Sequence, residues 1–144
     1  MIISNQEEAL KLFHSLDDHN YIEYPKGFDR KAAEEKFQLF VKRLQKQTKM
    51  SLSIETGSYI QDASYHSLIR FDYNNQLRFS NFGEMVTIFE EVPIDKKLYS
   101  IIQNLITEFR YTYIPEDYIY SNYDAKSLGV SDFKDWSDRF FDWV

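Results

Sequence analysis

The stretch YHSLIRFDYNNQLRFSNFGEMVTIF, residues 65–89, decides the fold. Tyr65, Ser67, Ile69, Phe71 and Tyr73 alternate with His66, Leu68, Arg70 and Asp72, the period of two that marks a strand. Asn74-Asn75 suits a tight turn, because Asn tolerates positive φ better than most residues. Leu77 and Phe79 carry the return strand, Asn81-Phe82-Gly83 offers a second turn, and Met85 to Phe89 forms the next strand. Strands this close in sequence pair antiparallel. Just upstream, Met50, Leu52 and Ile54 alternate with Ser51, Ser53 and Glu55 and add a fourth strand ending near Gly57.

Outside this meander the period changes to that of helices. Ser4 followed by Glu7 has the spacing of a capping box, and Ala9, Leu12, Phe13 and Leu16 predict a helix over about residues 5–16. Asp29 is a good N-cap for a longer helix to about Lys49, whose core face is Ala33, Phe37, Phe40, Val41 and Leu44. Pro93 opens a third helix with the apolar stripe Ile94, Leu98, Ile101, Ile102, Leu105, Ile106 and Phe109. Tyr111 to Ile114 predicts a short extended segment. Ser131 or Asp132 caps a last helix that presents Phe133, Trp136, Phe140 and Trp143. The expectation is a single α+β domain over residues 1–144. An antiparallel sheet of about four strands packs against N-terminal and C-terminal helices.

Composition narrows the function. The 144 residues contain no cysteine, which removes disulfides, thiol nucleophiles and cysteine-built metal centres. The four glycines stand singly at 27, 57, 83 and 129, so no glycine-rich phosphate loop exists and nucleotide chemistry is disfavoured. The N-terminus lacks a basic region and a long apolar run, and no segment approaches the roughly 20 apolar residues of a membrane span. The chain therefore reads as a cytoplasmic protein with no cofactor and no membrane partner. Its formal charge of −6 is unevenly placed. Residues 26–49 hold eight basic and three acidic side chains, whereas residues 115–144 hold three basic and seven acidic ones.

Few polar constellations carry chemistry. His14, Asp17, Asp18 and His19 are metal-ligating types, but they straddle a helix end and no second cluster completes a shell, so no metal is expected. His66, Arg70 and Asp72 share a strand face, which reads as a solvated sheet surface rather than acid–base machinery. Lys42, Lys46 and Lys49 line one side of the second helix. That stripe could track phosphates, yet Glu34 and Glu35 interrupt its start and the pI of about 5.1 argues against nucleic acid. No catalytic residue is assigned, and the expectation is a protein that is not an enzyme.

The C-terminal third stands out. Five of the eleven tyrosines, Tyr111, Tyr113, Tyr118, Tyr120 and Tyr123, fall within 13 positions and interleave with Glu116, Asp117 and Asp124. Tyrosine gives large contact area at small entropic cost, and carboxylates around it steer a cationic partner. The candidate protein-binding residues are Glu116, Asp117, Tyr118, Tyr120, Tyr123, Asp124, Asp135 and Asp138. Part of this set is expected to pack beneath the last helix.

The run Tyr113-Ile114-Pro115-Glu116-Asp117-Tyr118, then Tyr123-Asp124, Asp135-Trp136 and Arg139-Phe140-Phe141-Asp142-Trp143, resembles the C-terminal pattern of small bacterial immunity proteins. The preceding Leu77-Arg78-Phe79-Ser80-Asn81-Phe82-Gly83-Glu84 is similar to them as well, so the likeness spans roughly residues 76–143. It implies a non-enzymatic antitoxin that binds one cognate toxin domain and blocks its active site. Many such toxins are nucleases with cationic substrate channels. The alternative is a regulatory nucleic-acid or small-ligand binding module that uses the basic helix 30–49.

Overall fold

A computed structural model describes residues 1–18, 20–56, 65–71, 75–124 and 133–141, with the side chains of Tyr65 and His66 excepted. His19, Gly57, Asp72 to Asn74, Gly129, Ser131, Asp132, Asp142 and Trp143 lie outside the described residues, as does the His66 side chain. The elements run α1 (Gln6–Leu16), α2 (Arg30–Thr48), β1 (Ser53–Thr56), β2 (Tyr65–Arg70), β3 (Asn75–Ser80), β4 (Met85–Glu90), α3 (Lys96–Glu108), β5 (Thr112–Tyr113), a 3₁₀ turn (Glu116–Tyr118) and α4 (Trp136–Phe140). The fold is α+β, as the alternation of periods predicts.

The strands form one sheet in sequence order, antiparallel from β1 to β4. A fifth strand, β5, pairs parallel to β4 through Met85 with Thr112 and Val86 with Tyr113, so the sheet is one strand wider than the expected four. Parallel neighbours need a long crossover, and α3 supplies it. The N-terminus then extends the sheet. The Ile3 amide donates to Tyr113 O at 2.9 Å, and the Tyr113 amide donates to Met1 O at 2.8 Å.

Several boundaries move for identifiable reasons. Asn5, not Ser4, caps α1, its side chain accepting the Glu8 amide at 2.8 Å, while Ser4 Oγ donates to the Glu8 carboxylate. Asp29 caps α2 as expected. Asp95, not Pro93, starts α3, accepting the amides of Lys97 and Leu98. Asp135, not Ser131 or Asp132, caps α4, which has only five residues. The strand expected from Met50 forms only from Ser53, because the αL residue Lys49 and the Thr48 hydroxyl, which accepts the Met50 amide, still terminate α2.

The second hairpin turn falls at Gly83-Glu84 rather than Asn81-Phe82-Gly83. Gly83 at φ +60° and Glu84 at φ +50° make a two-residue turn of the I′ kind, closed by the Met85 amide on Phe82 O. Glycine at 83 suits the positive φ, and a Cβ there would also displace the Leu16 side-chain tip, 2.6 Å away. Glu84 is the costly choice: a left-handed non-glycine residue is strained by about 1 kcal/mol or more. The end of α3 is a Schellman motif, with Arg110 at φ +60°, its amide on Thr107 O, and the Tyr111 amide on Ile106 O. That turn sends Tyr111 inward and aims the chain along β4.

Alternation along β4 and β5 splits the core. Val86, Ile88 and Tyr113 join Phe37, Phe40, Val41, Leu44, Ile102, Leu105 and Ile106 under α2 and α3. Met85 and Ile114, on the opposite face, join Phe13, Phe82, Trp136, Phe140 and Phe141. The second sheet face is therefore not simply solvated, as the His66, Arg70, Asp72 pattern suggested: Leu68 is 1% exposed, and Arg78 donates to Phe141 O at 2.7 Å. Its outer part, where Arg70 faces Glu55, reaches water.

Candidate functional site

Beyond the Schellman turn, β5 and Pro115 bring the 3₁₀ turn against the end of β4. Glu116 is fixed there from both oxygens. Its Oε1 accepts the Glu90 amide at 2.9 Å, and its Oε2 accepts the Tyr120 hydroxyl at 2.6 Å. Glu90 in turn accepts the Ile94 amide at 2.7 Å, tying the approach to α3 into the same cluster. Tyr113 is buried in its ring, with its phenol near Tyr99 of α3. Burial first, then Tyr99 and the charges of Glu90 and Glu116, raises the Tyr113 phenol above its usual range. Burial, followed by the Glu116 hydrogen bond and charge, raises Tyr120 likewise. Both phenols stay neutral, so both remain donors at any physiological pH.

What reaches solvent is a tyrosine–carboxylate surface. Tyr99 is 41% and Tyr120 47% exposed, Asp117 is exposed, and Glu116 lies half-buried between β4 and the tyrosines. The surface is pinned rather than floppy, because each of Glu90, Glu116 and Tyr120 has a hydrogen-bond partner within it. Such pre-organisation reduces the entropy lost on docking.

The other sequence candidates make their contacts elsewhere in the molecule. Tyr118 donates to Ser4 O at 3.1 Å and packs on the second core. Tyr123 stands edge-on to Trp136 at 4.7 Å and donates to Asp17 Oδ2 at 2.6 Å. Asp135 accepts the Asp138 amide, and Asp138 accepts the Lys134 amide, so both shape the start of α4. Asp124 is exposed and pairs with His14 at 3.1 Å. Of the eight candidates, Glu116, Asp117 and Tyr120 are brought together, and Tyr99 and Glu90 complete their surface. Tyr99 had a signal in the sequence: it is a large aromatic lying off the apolar stripe of its helix.

Asp17 belongs to a different constellation. It is 4% exposed in its side chain and forms a 2.7 Å ion pair with Arg139, which is wholly buried. The remaining guanidinium donors go to Ile22 O, Asp18 O and Tyr21 O, and Phe82 and Phe140 stack within 4.8 Å. Engaged in this way, Asp17 is not available to a metal. Among the described residues no three potential metal ligands gather.

On α2, Lys36 pairs with Glu84 and Arg43 with Glu108, whereas Lys42, Lys46 and Lys49 are exposed. No helix among the described residues is long and apolar enough to cross a membrane. Compared with known proteins, the chain matches no family model, no curated protein and no solved structure.

Proposed function

We propose that this chain is a cytoplasmic, non-enzymatic inhibitor that neutralises a cognate bacterial toxin domain by binding it through the Tyr99, Glu116, Asp117 and Tyr120 surface. The observation that carries the reading is the exposed Tyr120 held by a fixed carboxylate, Glu116, with exposed Tyr99 nearby. Tyrosines of this kind act as rigid contact anchors, and the carboxylates complement a cationic active-site channel. The C-terminal resemblance to immunity proteins supplies the toxin as partner.

Co-producing the chain with the toxin domain encoded beside it tests this, with survival as the readout. The wild type is expected to protect, and combined Tyr99→Ala, Tyr120→Ala and Asp117→Lys changes to abolish protection while the chain stays folded by circular dichroism. Failure of the wild type to protect ends the toxin reading. Full protection by the triple variant ends the surface assignment.

A second reading is favoured by the exposure of Lys42, Lys46 and Lys49 together: a nucleic-acid-binding role for α2. It requires salt-sensitive retention of RNA or DNA that is lost when these three lysines are neutralised.

A further inference from the structure

The sheet ends in two edges that differ. Beside β5 the chain docks its own Met1 to Ile3 along Tyr113. At the far side β1 pairs with β2, and among the described residues no strand lies along its outer edge. An open edge presents amides and carbonyls in strand geometry, ready to pair with another strand. Residues 50–56 contain no proline and no lysine, and β1 pairs with β2 without a bulge. Those are common guards against edge pairing, and this edge lacks them.

The strand pattern also runs on beyond β2. Met50, Leu52 and Ile54 are half-buried against the first core, while Lys49, Ser51 and Ser53 are exposed. This alternation carries the period of β1 back through residues 50–52, which lie outside the β1–β2 register.

From this edge we propose that the chain self-associates: two copies pair antiparallel through residues 50–54 and join their sheets. Pattern and charge select a second copy and fix the register. Because the period is two, residues of the same face must stand opposite each other for the apolar sides to stay level. A two-fold axis at Leu52 does this. It sets Leu52 opposite Leu52, Met50 opposite Ile54 and Ser51 opposite Ser53, so the apolar stripe continues across both copies. It also brings Lys49, at the end of α2, level with Glu55 of the second copy, twice per dimer. Glu55 is held by Arg70 at 3.9 Å and its side chain is 44% exposed, which leaves room for a second cation. Axes at Ser53 or Ile54 instead set Glu55 opposite serine, and an axis at Glu55 sets two carboxylates face to face. The β1 edge lies across the sheet from β5 and the Tyr99–Tyr120 surface, so the dimer stands whether or not that surface binds a toxin.

Sedimentation equilibrium of the full chain at low salt, from roughly 1 μM to 1 mM, provides the test. The wild type is expected to be dimeric at the upper end. Lys49→Glu and Glu55→Lys are each expected to weaken the dimer at least roughly tenfold. Combining them restores opposite signs and is expected to return the affinity to within about threefold of the wild type. The chain has no cysteine, so Leu52→Cys reports the axis directly. Opposed strand residues lie about 4.5–5.5 Å apart at Cα, within disulfide reach. Oxidation is expected to cross-link Leu52→Cys and to leave Leu39→Cys, exposed on α2, largely uncoupled. A monomer at every concentration overturns the proposal. So does a dimer indifferent to both charge reversals, which would place the contact on another surface, or equal cross-linking of the two cysteine variants.

Discussion

On the face of the sheet under α2 and α3, the core is a layer of Phe, Leu, Ile and Val drawn from regular elements at helical or strand period. On the opposite face, Phe13, Phe82, Trp136, Phe140 and Phe141 gather from one helix, one turn and a five-residue helix. A buried arginine sits among them. Arg139 reaches across to Asp17, 122 positions away in sequence, and to three backbone carbonyls of the segment that follows α1. The first face is held by area, which needs no direction. The second is held by a directed network, because too little regular structure is present to bury it by stripes alone.

This contrast can be broken most forcefully at Arg139. Arg139→Ala leaves Asp17 as an uncompensated buried carboxylate, and about 3–5 kcal/mol of stability is expected to be lost in urea unfolding. Hydrogen exchange in the same variant is expected to rise first in Asp17 to Tyr24 and α4, with α2 and α3 still protected. Uniform loss of protection would show that the two faces unfold as one unit.

Next in size comes the aliphatic face. Leu105→Ala is expected to cost about 2–5 kcal/mol through lost burial and the cavity left behind. Here protection should fall first in α2 and α3. The same early loss in α4 would erase the distinction between the faces.

Alkali strikes both faces together. Burial comes first among the causes that hold the phenols of Tyr111, Tyr113, Tyr120 and Tyr123 above the ordinary tyrosine value of 10.0. Above that value the unfolded chain has lost phenolic protons that the native protein keeps, so stability falls as pH rises past it. Ultraviolet titration is expected to show these tyrosines ionising late and together with loss of structure. Independent early ionisation of all eleven would refute it.

Two smaller changes calibrate the scale. Asp95→Ala removes the acceptor for two amides at the start of α3 and should cost about 1 kcal/mol. Arg43→Gln breaks an exposed pair with Glu108 and should change unfolding by less than about 1 kcal/mol.

The first face was legible in the sequence for a physical reason. Phe37, Phe40, Val41 and Leu44, and Ile102, Leu105 and Ile106, lie at spacings that follow from helix geometry alone. The meander was legible through its period of two. The second face was legible only in its helix stripes, Ala9 and Phe13, Trp136 and Phe140, since no local spacing relates Arg139 to Asp17, Tyr123 to Asp17, or Tyr118 to Ser4. The candidate surface was half legible. The density of tyrosines and acids pointed to residues 116–124 with Asp135 and Asp138, but packing drew Tyr118 and Tyr123 into the fold and left Tyr120 outside. Tyr99 joins that surface only because β5 lies beside β4.

The sequence by itself determined the α+β class, the helix faces and the antiparallel order of β1 to β4, because each depends on contacts within a turn or across a hairpin. Tertiary structure alone decided the parallel fifth strand, the docking of Met1 to Ile3 beside it, and the buried Asp17–Arg139 pair. It also decided which carboxylates and phenols meet solvent. The N-terminal docking and the buried pair rest on directed hydrogen bonds between segments more than a hundred residues apart, the fifth strand on pairing across 27 residues, and a hydrogen bond fixes partners by geometry that periodicity does not encode.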